Sequence, residues 1–281
     1  MTAVTVLAAA LSQHAHAYVL ADPAQDKSLP NALLFESANA VCLLDGGADV
    51  RAVAPHLIRI DAANYLHAGA WLDQHAANVP CATLLISTMP LAAMAAHLSA
   101  FVDVVLPDRT VMALAFWDPS ILAVLSGARG DGTQHVRGSV LTAEQKQAFL
   151  APVLEWWYWD RAGHLQSIDW DANSIGDASA LIQPPMQFDQ NQVDELVEAS
   201  VPDGILYYIR LNMPGLLLRI PDSAQYAFVR SQILECPAIW AGRYRRSRQL
   251  LLCRACLRRR IQHPSGSCRF ARTGQDQGID L

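Results

Sequence analysis

Apolar and polar positions fall along this chain in short blocks whose spacing switches between strand-like runs and helical stripes. The block from Val111 to Leu125, VMALAFWDPSILAVL, shows the switch most plainly. Seven apolar residues precede Asp118-Pro119, and a second apolar run follows. The first run is short and β-prone, which predicts a strand over Val111–Trp117 buried on both faces. Pro119 cannot continue a central strand, but its fixed φ suits the first position of a helix. Asp118 then stands at the N-cap, where its carboxylate accepts orphan N–H groups of the first turn. Gly127 closes that helix after about two turns.

The same reasoning carries along the chain. MTAVTVLAAALSQHAHA imitates a signal peptide, with an apolar stretch and an Ala15-His16-Ala17 end, but its start carries no Lys or Arg. It is read as a first helix. A strand follows at Ala17–Ala21, then Asp22-Pro23, the same joint chemistry as at 118–119. Next come a helix over Leu29–Ser37, a strand over Ala40–Leu44 ended by Asp45-Gly46-Gly47, and a strand from Pro55 to Ile60. A helix around Ala68–His75 leads into a buried strand, Ala82–Ser87. Thr88 and Pro90 start a helix with Leu91, Met94, Ala95, Leu98 and Phe101 on one stripe. Val102–Leu106 and Val111–Trp117 form a hairpin through the turn Pro107-Asp108-Arg109. Ser126–Gly138 is a glycine- and arginine-rich loop, and Phe149–Leu165 an aromatic-dense strand ending at a Gly163 turn. Three helices close the ordered pattern. Asp189 caps one with Val193, Leu196 and Val197 on a face, Val201-Pro202-Asp203 restarts a second through Leu211, and Asp222 or Ser223 starts a third with Tyr226, Val229 and Ile233 in phase.

Strands mixed with helices, followed by helices alone, define an α/β (α+β) class: a mixed-sheet N-terminal lobe with flanking helices and a small all-helical C-terminal lobe. The expected boundaries are 1–170 for the first lobe, 171–186 for a linker around Gln183-Pro184-Pro185, 187–235 for the helical lobe and 236–281 for a tail. At 52% hydrophobic and 17% charged, the chain has ample material for a core and is not disordered in character. No window reaches a membrane span, because Val79–Ala96 is broken by Pro90 and by Ser87-Thr88. Charge changes the picture at the end. Ten of the 21 basic residues follow Cys236, against only Asp276 and Asp280, so the tail is near +8 and the rest near −13. Four of the six cysteines are also there, while Cys42 and Cys81 sit in apolar segments. The body shows no disulfide framework, which fits a reducing cytoplasm.

Candidate chemistry is sparse. No nucleophile elbow, Walker loop or dinucleotide-binding glycine pattern occurs. Ser126-Gly127-Ala128-Arg129-Gly130-Asp131-Gly132 lacks the lysine and following helix of a phosphate cradle, so it is read as a loop. Asp118 and Asp22 have the type of a catalytic carboxylate, but capping explains both. Ser87, His97 and Asp118 have the types of a hydrolytic triad without its spacing. No catalytic residue, cofactor or metal is assigned. Trp156, Trp157, Tyr158 and Trp159 alternate along a strand, so two readings stand: core packing and partner anchors. In the tail, Cys253-x2-Cys256-x6-His263-x4-Cys268 resembles a zinc knuckle amid basic residues, the pattern of a nucleic-acid binder. Two competing readings of the tail are a solvated basic segment and a GC-rich coding sequence read out of frame.

Several of these segments occur together in one family. Tyr18–Ala21, the Cys42–Gly46 strand with its Asp45-Gly46 turn, Pro55-His56-Leu57-Ile58, Leu85–Ser87, the helix with His97-Leu98, Phe116-Trp117-Asp118-Pro119 and Phe149–Trp156 follow in its order. Over Tyr18–Leu165 the chain resembles the adaptor, or effector-chaperone, family of bacterial type VI secretion systems. It departs at Ala115, where the family often carries arginine, and at Phe149-Leu150-Ala151-Pro152, where the family's segment is Phe-Phe-Gly-Pro-like. The resemblance implies a cytoplasmic, non-enzymatic adaptor whose partners are a secreted effector and a VgrG-type spike, with neither nucleic acid nor membrane among them. Trp156, Trp157, Tyr158 and Trp159 are the expected partner-binding residues; Asp118 and Pro119 are structural. The alternatives are an enzyme with a pocket in the α/β lobe and a zinc-knuckle nucleic-acid binder working through the tail.

Overall fold

The structure, a computed structural model, describes residues 1–33, 38–170 and 182–235. In chain order the elements of the first unit are α1 (Ala3–Ser12), β1 (His16–Ala21), α2 (Leu29–Ala32), β2 (Ala40–Cys42), α3 (Ala48–Arg51), β3 (His56–Ile60), α4 (Tyr65–His75), β4 (Ala82–Ser87), α5 (Leu91–Ala100), β5 (Asp103–Val105), β6 (Val111–Ala113), α6 (Pro119–Ser126), α7 (Ala143–Leu150), β7 (Val153–Trp159), β8 (Leu165–Ser167) and β9 (Met186–Gln187). Then come α8 (Gln190–Asn212), a short 3-10 turn over Pro214–Leu216, and α9 (Asp222–Glu235). The mixed α+β class read from the sequence is the class observed.

Six strands form one antiparallel sheet in the order β2-β3-β1-β4-β7-β8. Val19 of β1 lies opposite Ile58 on one side and Leu84 on the other, and Leu85 of β4 lies opposite Trp156 of β7. Alternate side chains feed two cores. Tyr18, Leu20, Leu57, Leu85, Trp156 and Tyr158 share one core with α5, α6 and α7. Val19, Ile58, Ile60, Leu84 and Ile86 share the other with α1 and α4. A sheet covered on both faces needs apolar residues at both parities, which is why β1 and β4 read as unbroken apolar runs. Helices α1 and α4 approach closely because Gly69 has no side chain: a Cβ there would stand 2.9 Å from the Val4 Cα. Val6, Leu7 and Ala10 of α1 are buried in this second core, so the N-terminal apolar stretch is part of the fold.

A second sheet has three strands in the order β6-β5-β9, with β5–β6 antiparallel and β5–β9 parallel. Here the structure corrects the reading of Val111–Trp117 as a strand buried on both faces. Only Val111–Ala113 is strand, and all three residues are exposed. The chain then turns, Asp118 N–H donating to the Ala115 carbonyl at 2.9 Å, so that only Leu114 and Phe116 reach the core. The helix after the joint is as expected, with Asp118 at the N-cap, Pro119 first and Gly127 closing it at φ 71°.

Other boundaries move too. Phe149 and Leu150 end α7, whose start is a capping box: Gln145 N–H donates to Thr142 Oγ1 at 3.2 Å, and Thr142 N–H to Gln145 Oε1 at 3.0 Å. Pro202 lies within one continuous helix rather than restarting a second. Met186, placed in the linker by sequence, is fully buried and pairs with Val104. The chain divides into compact units at 1–203 and 204–281, a boundary later than the 171–186 linker. In the second unit Ile205, Ile209, Leu217, Tyr226, Val229 and Ile233 are buried. Residues 236–281, with the cysteine–histidine pattern, lie outside the described residues.

Candidate functional site

The aromatic quartet is not the surface expected. Trp156, Tyr158 and Trp159 are 1%, 0% and 5% exposed, and only Trp157 is half-buried. The reason is position: β7 is an inner strand with β4 and β8 on its flanks, and helices cover both faces. Trp156 stacks into a cluster with Phe149 and Phe116, ring centroids 5.4 and 6.3 Å away, and its indole donates to Thr83 Oγ1 at 2.9 Å. The Tyr158 hydroxyl donates to Asp131 Oδ2 at 3.1 Å, and burial together with that carboxylate pushes the phenol far up. Both are core residues with satisfied polar tips. The Trp157 indole donates to Glu155 at 2.8 Å. Of the four, Trp157 alone retains surface for a partner.

Asp118 and Asp22 act as turn formers. Asp118 Oδ1 accepts from Ser120 N–H at 2.7 Å and Ile121 N–H at 3.4 Å, and Asp22 Oδ1 from Ala24 N–H at 3.0 Å. Burial raises both carboxyls above their ordinary value, and the charge of Asp118 raises Asp22 further. The two Asp-Pro joints therefore lie close enough to interact. Ser87, His97 and Asp118 do not assemble. Ser87 Oγ donates to the Pro152 carbonyl at 2.6 Å, and His97 Nε2 meets the Phe149 carbonyl at 2.9 Å. Burial lowers the His97 pKa and keeps the ring neutral there. Each side chain of this trio serves a different stretch of backbone. Among the described residues no group of three or more His, Cys, Asp or Glu could hold a metal ion.

The β5–β6 hairpin expected from the sequence is present, and what sequence reasoning passed over is that its second strand is an exposed sheet edge. Its loop is built by its residues: Pro107 pre-sets the first turn position, Asp108 accepts from Thr110 N–H at 2.9 Å, and Arg109 takes φ 68°. Arg109 N–H donates to the Leu106 carbonyl, and Leu106 N–H to the Thr110 carbonyl, both at 2.8 Å. At the other end Leu114 N–H donates to the Val102 carbonyl at 2.6 Å. Hydrogen-bonded pairs alternate along an antiparallel ladder, so Met112 with Val104 is the next such pair. It follows that Val111 and Ala113 turn their N–H and C=O groups away from β5. Strand β6 is the end of its sheet, so among the described residues no strand lies on that side.

This edge is also apolar, Val111 being 57% and Met112 52% exposed. Natural proteins blunt such edges by keeping them very short, as the three residues of β6 are, or with lysine, proline, a bulge or a covering element. Val111-Met112-Ala113 carries none of the side-chain devices. Its outward donors and acceptors have the spacing at which another extended backbone pairs. The signal was legible, since Thr110–Ala113 lies beside a turn and a short apolar run, but the run's parity does not say whether it has one neighbour or two.

The described fold is thus an α+β domain with an open, apolar sheet edge. Residues 17–135 match the model of a family described as a domain of unknown function (DUF4123). That segment runs from β1 through the hairpin and α6 into the following loop. No curated protein and no solved structure matches the chain. No described helix is long and apolar enough to cross a membrane.

Proposed function

We propose that this protein is a non-enzymatic adaptor that holds an extended segment of a type VI secretion effector along the β6 edge and hands it to a VgrG-type spike in the cytoplasm. The observation that carries the reading is the exposed apolar edge over Val111–Ala113, whose outward backbone groups are placed to pair with a strand from another chain. Two further features support it. The DUF4123 match over residues 17–135 overlaps the stretch Tyr18–Leu165 whose segments resemble the type VI adaptors. The carboxylates of Asp22 and Asp118 accept from backbone N–H groups of their own turns, and Ser87 and His97 are engaged by the Pro152 and Phe149 carbonyls.

The test is co-expression with the effector and spike proteins encoded beside this gene. The effector is expected to co-purify with the wild-type chain and to be lost from Ala113→Pro, which removes an outward N–H, with Val111→Lys on the same strand. An effector that is retained equally by wild type and double variant rules out this edge, and the absence of any co-purifying effector rules out the adaptor reading.

A further inference from the structure

The second unit carries a depression of about 680 Å³ along the segment from Arg210 to Gln225. The chemistry of its wall is mixed in an informative way. Leu217, Ile220, Pro214 and Pro221 supply apolar surface, and Leu218 stands 85% exposed at the same site. Gln225 is buried and fully committed. Its Nε2 donates to the Ile220 carbonyl at 3.2 Å and to Asp222 Oδ1 at 2.8 Å, and its Oε1 accepts from Arg210 Nε at 3.0 Å. That last bond fixes the Arg210 guanidinium through Nε and leaves its two Nη groups for a ligand. Arg219 has no hydrogen-bond or ion-pair partner among the described residues. Asp222 Oδ1 accepts from Gln225, and two guanidiniums stand against this one carboxylate, so the net charge at the site is positive.

We propose that this depression binds an acidic–apolar peptide segment of a partner protein: a carboxylate held in the fork of Arg210 and by Arg219, with a neighbouring aliphatic side chain seated on Leu217 and Ile220. Guanidinium forks match carboxylates in geometry, and a volume in the range of small-ligand sites takes a few side chains rather than one ion. A polyanion is disfavoured, because the net charge near −13 of the residues before the tail repels nucleic acid or an anionic membrane far more strongly than a short segment carrying a few carboxylates. The chain's own tail is disfavoured as occupant by its ten arginines. The inference is independent of what the β6 edge takes.

The probe is a fluorescein-labelled, end-blocked hexapeptide of alternating leucine and glutamate, titrated with the full-length chain by anisotropy at low and high salt. Saturable binding is expected. Arg219→Glu is expected to weaken it at least tenfold, as is Arg210→Lys, which keeps the charge and loses the fork. Ala113→Pro is expected to leave it unchanged. Arg219→Glu alters an exposed side chain without internal bonds among the described residues, so its circular dichroism is expected to match the wild type. Equal binding by Arg219→Glu overturns the proposal. So does equal binding of a serine–glutamate peptide, which would show charge alone at work, or of a leucine–lysine peptide. Binding of phosphatidylglycerol vesicles that depends on Arg219 and is not competed by the peptide overturns it in favour of a membrane.

Discussion

Strands β4 and β6 are both apolar runs, ATLLIS and VMA, and the fold uses them in opposite ways. All six residues of β4 are buried, with β1 on one side, β7 on the other and helices above and below. All three residues of β6 are exposed, with β5 on one side alone. Equal hydrophobicity thus serves stability in one place and offers an unpaired edge in the other. Neighbours, not composition, decide which.

The contrast can be broken most strongly at the core. Trp156→Ala, opposite Leu85 in the sheet, is expected to cost about 3–5 kcal/mol in urea unfolding, whereas Met112→Ala on the edge is expected to stay within about 0.5 kcal/mol. Comparable losses at the two sites would erase the distinction. Gly127→Ala comes next. Its φ is 71° and a Cβ would lie 2.6 Å from the Ser139 nitrogen, so a loss of more than about 1 kcal/mol is expected by the same measurement.

Removing the cap at the base of the hairpin has a smaller effect. Asp118→Ala is expected to cost about 1 kcal/mol, and Asp118→Asn less, since the amide oxygen still accepts from Ser120 N–H. The pair also sharpens the pH behaviour. Burial raises the Asp118 carboxyl, so the folded state holds its proton more tightly than the unfolded chain. Its contribution to stability is therefore complete below about pH 4, the unfolded value, and is lost as pH rises through the folded one. His97 runs the other way. Burial lowers its pKa, so the unfolded chain binds the proton first and stability falls as pH drops below about 6.5. Thermal melts of Asp118→Asn across pH 4–7 are expected to lack the wild-type decline on the alkaline side of the carboxyl's window and to keep the His97 decline. The smallest stability effect is at Val111→Lys, expected to leave melting unchanged while abolishing effector capture.

Much of the fold was legible because its segments carry their own punctuation. Asp118-Pro119 and Gly127 bracket α6, Ala82–Ser87 has a helix signal at Pro90 after it, and Pro107-Asp108-Arg109 makes a turn from any neighbourhood. Helix α7 also carried a local mark, Thr142-x-x-Gln145, which the aromatic run downstream overshadowed. The site was far less legible. Which of Trp156 to Trp159 face solvent depends on helices covering both sheet faces, and which strand lies at an edge depends on pairing across distant sequence. Period-two alternation in β7 carries neither fact, and neither does the apolar content of β6.

Amide hydrogen exchange at Val111 and Ala113, in the free protein and with the effector bound, tests the central claim most directly. The account predicts that both amides exchange rapidly in the free chain and slow at least tenfold in the complex, while Met112, already paired to Val104, changes little. An intact complex in which Val111 and Ala113 exchange as fast as in the free protein would contradict it.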